Sequence, residues 1–340
     1  MTAKQRVLLL GATGETGGSI LQGLLDDTES FKVDALVRPS SSTKPAVKAL
    51  ADRGVNIRVA NIEGPIEDLV DVLSGVDVLI SAIDSGNQLA QIQLATAAKE
   101  AGVKRFIPCA FITITPPGGV MALRDRKEAV YQHIRKLYLP YTIIDVGYWY
   151  QMSFPTLPSG RVDYAAITKP YVKVHCDGKA PNVLIDLRDI GPFVARIIKD
   201  PRTLNKSVLA YGDVLSENEI FGIMERLSGE KIERTYVTSE EIIAERAQCT
   251  AAAKADPKNQ LAQIMASIQD YHYSKYVRGD NTPQYAAYLG YLDARELYPD
   301  FRPKGFEEFI HDVLSGKGEQ VYKKKFSDPS AVDANALTTS

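Results

Sequence analysis

Residues Val7 to Gly18 read VLLLGATGETGG, an apolar run that breaks abruptly into a glycine-rich turn. The run has the composition of a buried strand ending at Leu10. Gly11, Gly14 and Gly17 then give the spacing G-x-x-G-x-x-G, and Ile20, Leu21, Leu24 and Leu25 begin a helical apolar stripe. Glycines suit this place because the backbone must turn tightly, approach a pyrophosphate closely and let a helix pack against the strand. Free amides at the helix N-terminus, aided by the macrodipole, face the phosphates. Gly11, Thr13, Gly14, Glu15, Thr16 and Gly17 are therefore the candidate cradle for a dinucleotide.

The next strand-like stretch, FKVDALV at residues 31–37, ends in Arg38 followed by PSSSTK. A site for NAD usually places a carboxylate at that tip to accept the ribose 2′-hydroxyl, whereas an arginine suits a 2′-phosphate. Asp34 does not fill the role, because it lies within the strand. Lys44, or alternatively Lys48, adds a second positive charge. The expected cofactor is NADP(H).

Composition removes several classes of function. The chain has 340 residues and a formal charge of -2, so it lacks the basic footprint of a nucleic-acid binder or a polybasic membrane patch. No apolar run reaches transmembrane length, and MTAKQRV leading into a strand is not a signal peptide. Cys109, Cys176 and Cys249 are odd in number and far apart, which fits neither a disulfide framework nor a zinc cluster. These features lead to the expectation of a soluble cytoplasmic protein without a metal, a monomer or homodimer, whose partner is a small molecule.

Strand and helix patterns alternate through the first half. Strands are expected at 55–59, 76–81, 105–108 and 141–146, with helices at 45–52, 65–74, 87–101 and 121–137 between them. Such alternation predicts right-handed crossovers and a doubly wound parallel α/β sheet of Rossmann type. Ligands of such sheets bind beyond the carboxyl ends of the strands. The second half is less regular, with strand-like stretches at 172–174 and 206–209. Helices are expected near 189–198, 216–227, 240–253, 260–273 and 304–314. The reading is a dinucleotide-binding domain over 1–150 and a smaller mixed α/β substrate-binding part over 151–327, with some segments returning to the first. The small polar tail 328–340 is expected to be disordered.

A hydride-transfer site usually needs a proton donor or acceptor beside the nicotinamide. The Tyr-x-x-x-Lys pair common in short-chain dehydrogenases is absent, since Tyr131 is followed by Arg135. Lys127 stands on the helix that starts facing the strand ends. It can act as acid or base only with a lowered pKa, for which Arg124 and Arg126 could supply the field. The residue alone reads more readily as one more exposed lysine on a charged helix.

Longer motifs decide between these readings. LLLGATGETGGSI, LVRPS, QIQLATAAKEAGVKRFIP opening at Gln91, LPYT, FPTL, DIGPFVARIIKDPRTLNKSV, ENEI, YVTSEEI, YVRGDN and ARELYPD span roughly residues 5 to 315. Together they resemble the isoflavone reductase-like branch of the NmrA-like, atypical short-chain dehydrogenases. That branch includes phenylcoumaran benzylic ether reductases and pinoresinol–lariciresinol reductases. The resemblance implies a Rossmann domain with a small substrate-binding C-terminal part, NADPH use and a catalytic lysine. Counted back from Pro140 in LPYT, that lysine falls on Lys127. Counted forward, the aromatic residue beside the nicotinamide falls on Trp149, the only tryptophan. Phe111, in the segment that replaces the family's P-S-E-F-G, joins the implied cofactor contacts.

Departures from the family lie around the substrate. Pro108-Cys109-Ala110-Phe111-Ile112 lacks the family's glutamate, Gly147 and Tyr148 replace an asparagine and a cysteine, and Tyr131 and Gln132 stand where two arginines often follow the lysine. The plant substrates are therefore not implied. Tyr148, Trp149, Tyr150 and Phe154, with Tyr271, His272 and Tyr273, concentrate aromatic surface suited to a flat ligand. Tyr148, Trp149, Phe154, Tyr271 and His272 are the candidate substrate contacts, and His272 could donate a proton. His133, His175 and His311 belong to no constellation in the sequence. The expected function is reduction of a small aromatic or conjugated carbonyl, enone or quinone-type compound by NADPH. A non-catalytic NADP(H) sensor and a redox-neutral isomerase or dehydratase are the alternatives.

Overall fold

The computed structural model describes residues 4–323. The tail beginning at residue 328, expected to be disordered, lies outside them. The opening apolar run forms strand β1 (Gln5–Leu10), followed by α1 (Glu15–Leu25) and β2 (Phe31–Val37). Alternation continues through α2 (Pro45–Asp52), β3 (Asn56–Val59), α3 (Ile66–Leu73), β4 (Val78–Ser81), α4 (Gln91–Glu100), β5 (Arg105–Ile107), α5 (Ala122–Lys136) and β6 (Thr142–Asp145). β5 ends one residue before the expected limit, where Pro108 has no N–H to donate. The helix expected over 87–101 is two pieces. A 3-10 turn at Ser85–Ala90, capped by the Asp84 carboxylate on the Gly86 amide, precedes α4.

Strand order is β3-β2-β1-β4-β5, every neighbour parallel. A bridge between Phe106 and Tyr141 carries the sheet on toward β6. The chain then supplies β7 (Tyr148–Trp149), β8 (Lys173–His175), β9 (Asn182–Ile185), α6 (Ile190–Lys199) and β10 (Lys206–Leu209). β10 pairs parallel with β6, so a strand from the second half extends the first-half sheet. After it come β11 (Asp213–Leu215), α7 (Glu217–Ser228), β12 (Thr235–Val237), α8 (Ser239–Ala255), α9 (Gln260–His272), α10 (Pro283–Tyr288), β13 (Leu292–Asp293), α11 (Ala294–Leu297) and α12 (Phe306–Leu314). The fold is a Rossmann-type doubly wound sheet, with smaller sheets β11-β9-β7 and β12-β8 in the C-terminal part.

Pleating explains the two layers. Val7 and Leu9 pack with α1 and α6, while Leu8 between them packs with α3, α4 and α5 on the other face. A strand buried on both faces must be apolar at every position, which is why VLLL carries no polar residue. α1 and α6 meet at Gly23 and Gly191. A Cβ on Gly23 would collide with the Gly191 carbonyl, and one on Gly191 with the Ser19 carbonyl, so backbone lies against backbone here. A third core, centred on Tyr150, Phe154, Phe221 and Phe309, holds the C-terminal elements together. No helix among the described residues is long and apolar enough to cross a membrane.

Candidate functional site

The carboxyl ends of β1, β2, β4 and β5 converge on one edge, where the glycine-rich loop, Arg38 and the carbonyls that hold Lys127 gather. Gly11 leaves β1 with φ +87°, and a Cβ on it would meet the Ala82 carbonyl beyond β4. A Cβ on Gly17 would likewise strike the Gly11 carbonyl. Only glycines let the turn fold this closely under the start of α1. Gly14 is the N-cap of α1 and no side chain caps it, so the helix presents its first amides beside Thr13, Glu15 and Thr16. Thr13 and Gly14 are exposed, whereas Glu15 and Thr16 are half-buried. This is the chemistry of an anion cradle.

Register places Arg38 beside it, because Leu10 of β1 lies opposite Leu36 of β2. The Arg38 guanidinium is exposed and donates through Nε to Ser41 Oγ at 3.2 Å. Lys44, also exposed, is the N-cap of α2. Asp34 is buried within β2 and accepts from Arg58 Nε at 2.7 Å, far from any ribose position at the strand tip.

Lys127 is buried. Its ammonium donates to Cys109 O at 2.6 Å, Ala110 O at 3.0 Å and Gln88 Oε1 at 3.1 Å. The bent segment at Ser85–Ala90 delivers Gln88, and the end of β5 delivers the two carbonyls. Burial pushes the lysine pKa below its ordinary value; the nearby Cys109 opposes this and the Arg124 charge adds to it. The three acceptor oxygens favour the charged form, so the amine is held between opposing demands. Arg124, one turn earlier, is itself buried and donates to Asp145 Oδ2 at 2.7 Å, an oxygen that also accepts from Tyr291. That network fixes the α5 turn that carries Lys127.

From Lys127 a cavity of about 750 Å³ runs into the C-terminal part. At its inner end it touches Thr16, Ala82, Cys109, Phe111 and Trp149. Its walls include Tyr148, Phe154, Tyr271 and His272. Phe111 holds φ 50°, an uncommon conformation for a bulky residue, at the cavity wall. Trp149 stacks on Tyr322 with ring centroids 5.7 Å apart, and the Tyr322 amide donates to Glu15 Oε1 at 2.8 Å. A residue near the end of the described chain thus bridges the glycine-rich loop and the tryptophan. Of the residues expected to meet substrate, Phe154 is the most committed to packing, against Phe309. Tyr150 and Tyr273 do not line the cavity. The Tyr150 hydroxyl donates to Asp213 Oδ2 at 2.7 Å, and the Tyr273 ring lies under the Arg246 guanidinium.

His175, which belongs to no constellation in the sequence, is buried in the structure and has partners. Its Nδ1 lies 2.8 Å from Glu217 Oε1, its amide donates to Glu217 Oε2, and its ring stacks on Tyr276 and lies 4.2 Å from His272. Glu217 lies 42 residues away, and parallel pairing of β8 with β12 helps place the histidine, so no local pattern announces the cluster. Gln88, Tyr171, Lys275, Tyr276 and Tyr322 also line the cavity and went unread in the sequence. The only local signal among them is Lys275, a cation between tyrosines in YHYSKYVR. Among the described residues no group of His, Cys, Asp and Glu could hold a metal ion.

Fold and site together define a Rossmann-type α/β protein whose glycine-rich loop opens onto a deep aromatic cavity with a buried lysine. The chain belongs to the NmrA-like family, whose model matches residues 3–310. It is 43% identical over 316 residues to the asnovolin J 5′,6′-dehydrogenase of Aspergillus novofumigatus, covering 92% of this chain and 97% of that one. It is 29% identical over 321 residues to a probable pinoresinol-lariciresinol reductase of Arabidopsis thaliana, covering 92% and 98%. In structure it is similar to the leucoanthocyanidin reductase–NADPH complex from Vitis vinifera. The TM-score is 0.76 at 24% identity, over 91% of this chain and 99% of that one. The Arabidopsis relative carries the name of one of the reductases that the motifs resemble.

Proposed function

We propose that this protein is an NADPH-dependent oxidoreductase acting on a small aromatic or conjugated carbonyl, enone or quinone-type compound. The observation that carries the reading is Lys127. It is a buried lysine with a lowered pKa, at the point where an aromatic cavity meets the strand ends beside the glycine-rich loop. The cradle fits a pyrophosphate, and Arg38 with Lys44 fits a 2′-phosphate. When bound, NADPH supplies a hydride from its nicotinamide.

The chain's own residues do the rest. Trp149, braced by Tyr322, forms the wall against which a flat substrate is held. Lys127 exchanges its contact with Gln88 for the substrate oxygen and gives it a proton, keeping the two backbone carbonyls as anchors. The apolar walls exclude water from the reacting carbon. Reductases among the relatives support this direction. The relative with 43% identity is named a dehydrogenase, which favours a second reading on the same site: oxidation with NADP⁺, in which Lys127 takes up the proton.

Nicotinamide fluorescence tests both. A panel of aromatic ketones, enones and quinones is offered with NADPH, and their reduced counterparts with NADP⁺. Fluorescence falls in the first arm for a reductase and rises in the second for a dehydrogenase. Conversion of a compound without net change would mean redox-neutral chemistry. Tight NADPH binding without conversion of anything in either arm would favour a sensor and contradict the proposal.

A further inference from the structure

Lys275 lines the cavity from a π-helical turn at Tyr273–Arg278 that continues α9. Such widened turns are rare, and they recur at functional sites because the extra residue re-aims the side chains that follow. The lysine is 4% exposed and faces the cavity. Its ammonium lies 3.8 Å from the centre of the Tyr148 ring and 4.7 Å from that of Tyr276. Among the described residues it has no hydrogen-bond acceptor and no ion pair.

That arrangement is unusual for a buried cation. Two ring faces offset only part of the desolvation of an ammonium. The carboxylate that acts on it electrostatically is Glu217, which is engaged by the amide and ring of His175 and forms no ion pair with Lys275. Glu245, farther along the wall, accepts from Gln269. Beside Lys275, burial keeps His272 well below the ordinary histidine range, so it is a neutral ring able to donate one N–H. Burial likewise lowers Lys275, to about 8, so at neutral pH most of it still carries its charge.

We infer that Lys275 is a specificity-determining residue that binds an anionic oxygen of the substrate, a carboxylate, phenolate or enolate, at the wall of the cavity formed by Tyr148 and Tyr276. The inference rests on the reading of this cavity as the substrate site. A ligand with an aromatic body and an oxyanion at one end satisfies Lys275 with that end. The body lies over Tyr148, and the other end reaches Lys127 and Trp149. A neutral aromatic of the same shape leaves the cation unpaired.

The test uses naphthoate and its neutral counterpart naphthamide, measured by calorimetry on the NADP⁺-saturated protein. The native protein should bind naphthoate at least about tenfold tighter than naphthamide, the scale of a charge-assisted contact in a desolvated site. Lys275→Met should remove the preference while leaving naphthamide affinity and NADP⁺ binding within a few-fold, which also reports folding. Lys275→Arg should retain part of the preference, and Lys127→Met should retain it all. Equal affinity for the two ligands, no saturable naphthoate binding, or a preference that survives in Lys275→Met or disappears in Lys127→Met overturns the inference. The enzymatic reading fails separately. Turnover of neutral enones without any anion preference sinks only the role of Lys275, and anion binding through Lys275 without turnover of any compound sinks only the proposed chemistry.

Discussion

At the scale of single residues, the roles proposed for Lys127 and Arg38 separate chemistry from cofactor choice. Lys127→Met removes the charge and proton while keeping an unbranched chain, so NADPH binding should persist. Turnover should fall by about two to four orders of magnitude, the usual contribution of general acid–base catalysis. The pH dependence has a sign that follows from direction. In reduction the lysine must hold its proton, so kcat/KM falls as pH rises through the lowered pKa. In oxidation it must be the free amine, so the rate falls as pH drops through that value. The methionine variant should lose that limb in either case, and Lys127→Arg should not restore it, because guanidinium does not release its proton. A near-native rate in Lys127→Met would exclude the residue from the mechanism. For Arg38→Ala, NADPH affinity should fall by about one to two orders of magnitude with NADH little changed, since a charge-assisted contact to a phosphate contributes roughly 1.5–3 kcal/mol. Equal losses for both cofactors in a binding titration would contradict the assignment.

At the scale of elements, the close approach of α1 and α6 is the contact least tolerant of change. Gly191→Ala places a methyl against the Ser19 carbonyl and must push the helices apart. Overpacking of this kind costs about 1–3 kcal/mol, measurable as a lower urea midpoint. NADPH should bind more weakly as well, because α1 begins at the glycine-rich loop. An unchanged midpoint would show that the helices can part freely. The same elements show what could be read from sequence. β2, α2 and β10 fall on their expected limits because a mostly apolar stretch, a Pro at the first helical turn and a short run ending in Val208 and Leu209 are local signals. β7, β9, β11 and β12 are two to four residues long and owe their pairing to tertiary neighbours, so nothing local marks them. The site divides in the same way. Lys127 and Trp149 were reachable through motif spacing, whereas Gln88, His175 with Glu217, and Lys275 become a site only when distant segments fold together.

At the scale of the whole molecule, the sheet edge, the cavity and the segment ending at Tyr322 form one continuous path from the phosphate cradle to Lys275. A dinucleotide seated on the glycine-rich loop would place its nicotinamide in this cavity, and the proposed function requires that hydride crosses there. The direct measurement uses NADPH dideuterated at nicotinamide C4, incubated with the protein and the carbonyl and enone members of the panel, with products analysed by mass spectrometry. The expected result is a product carrying deuterium on carbon, formed by the native protein and slowed by about two to four orders of magnitude with Lys127→Met. NADPH that binds tightly yet passes no deuterium to any compound, or a product formed without deuterium, would contradict it.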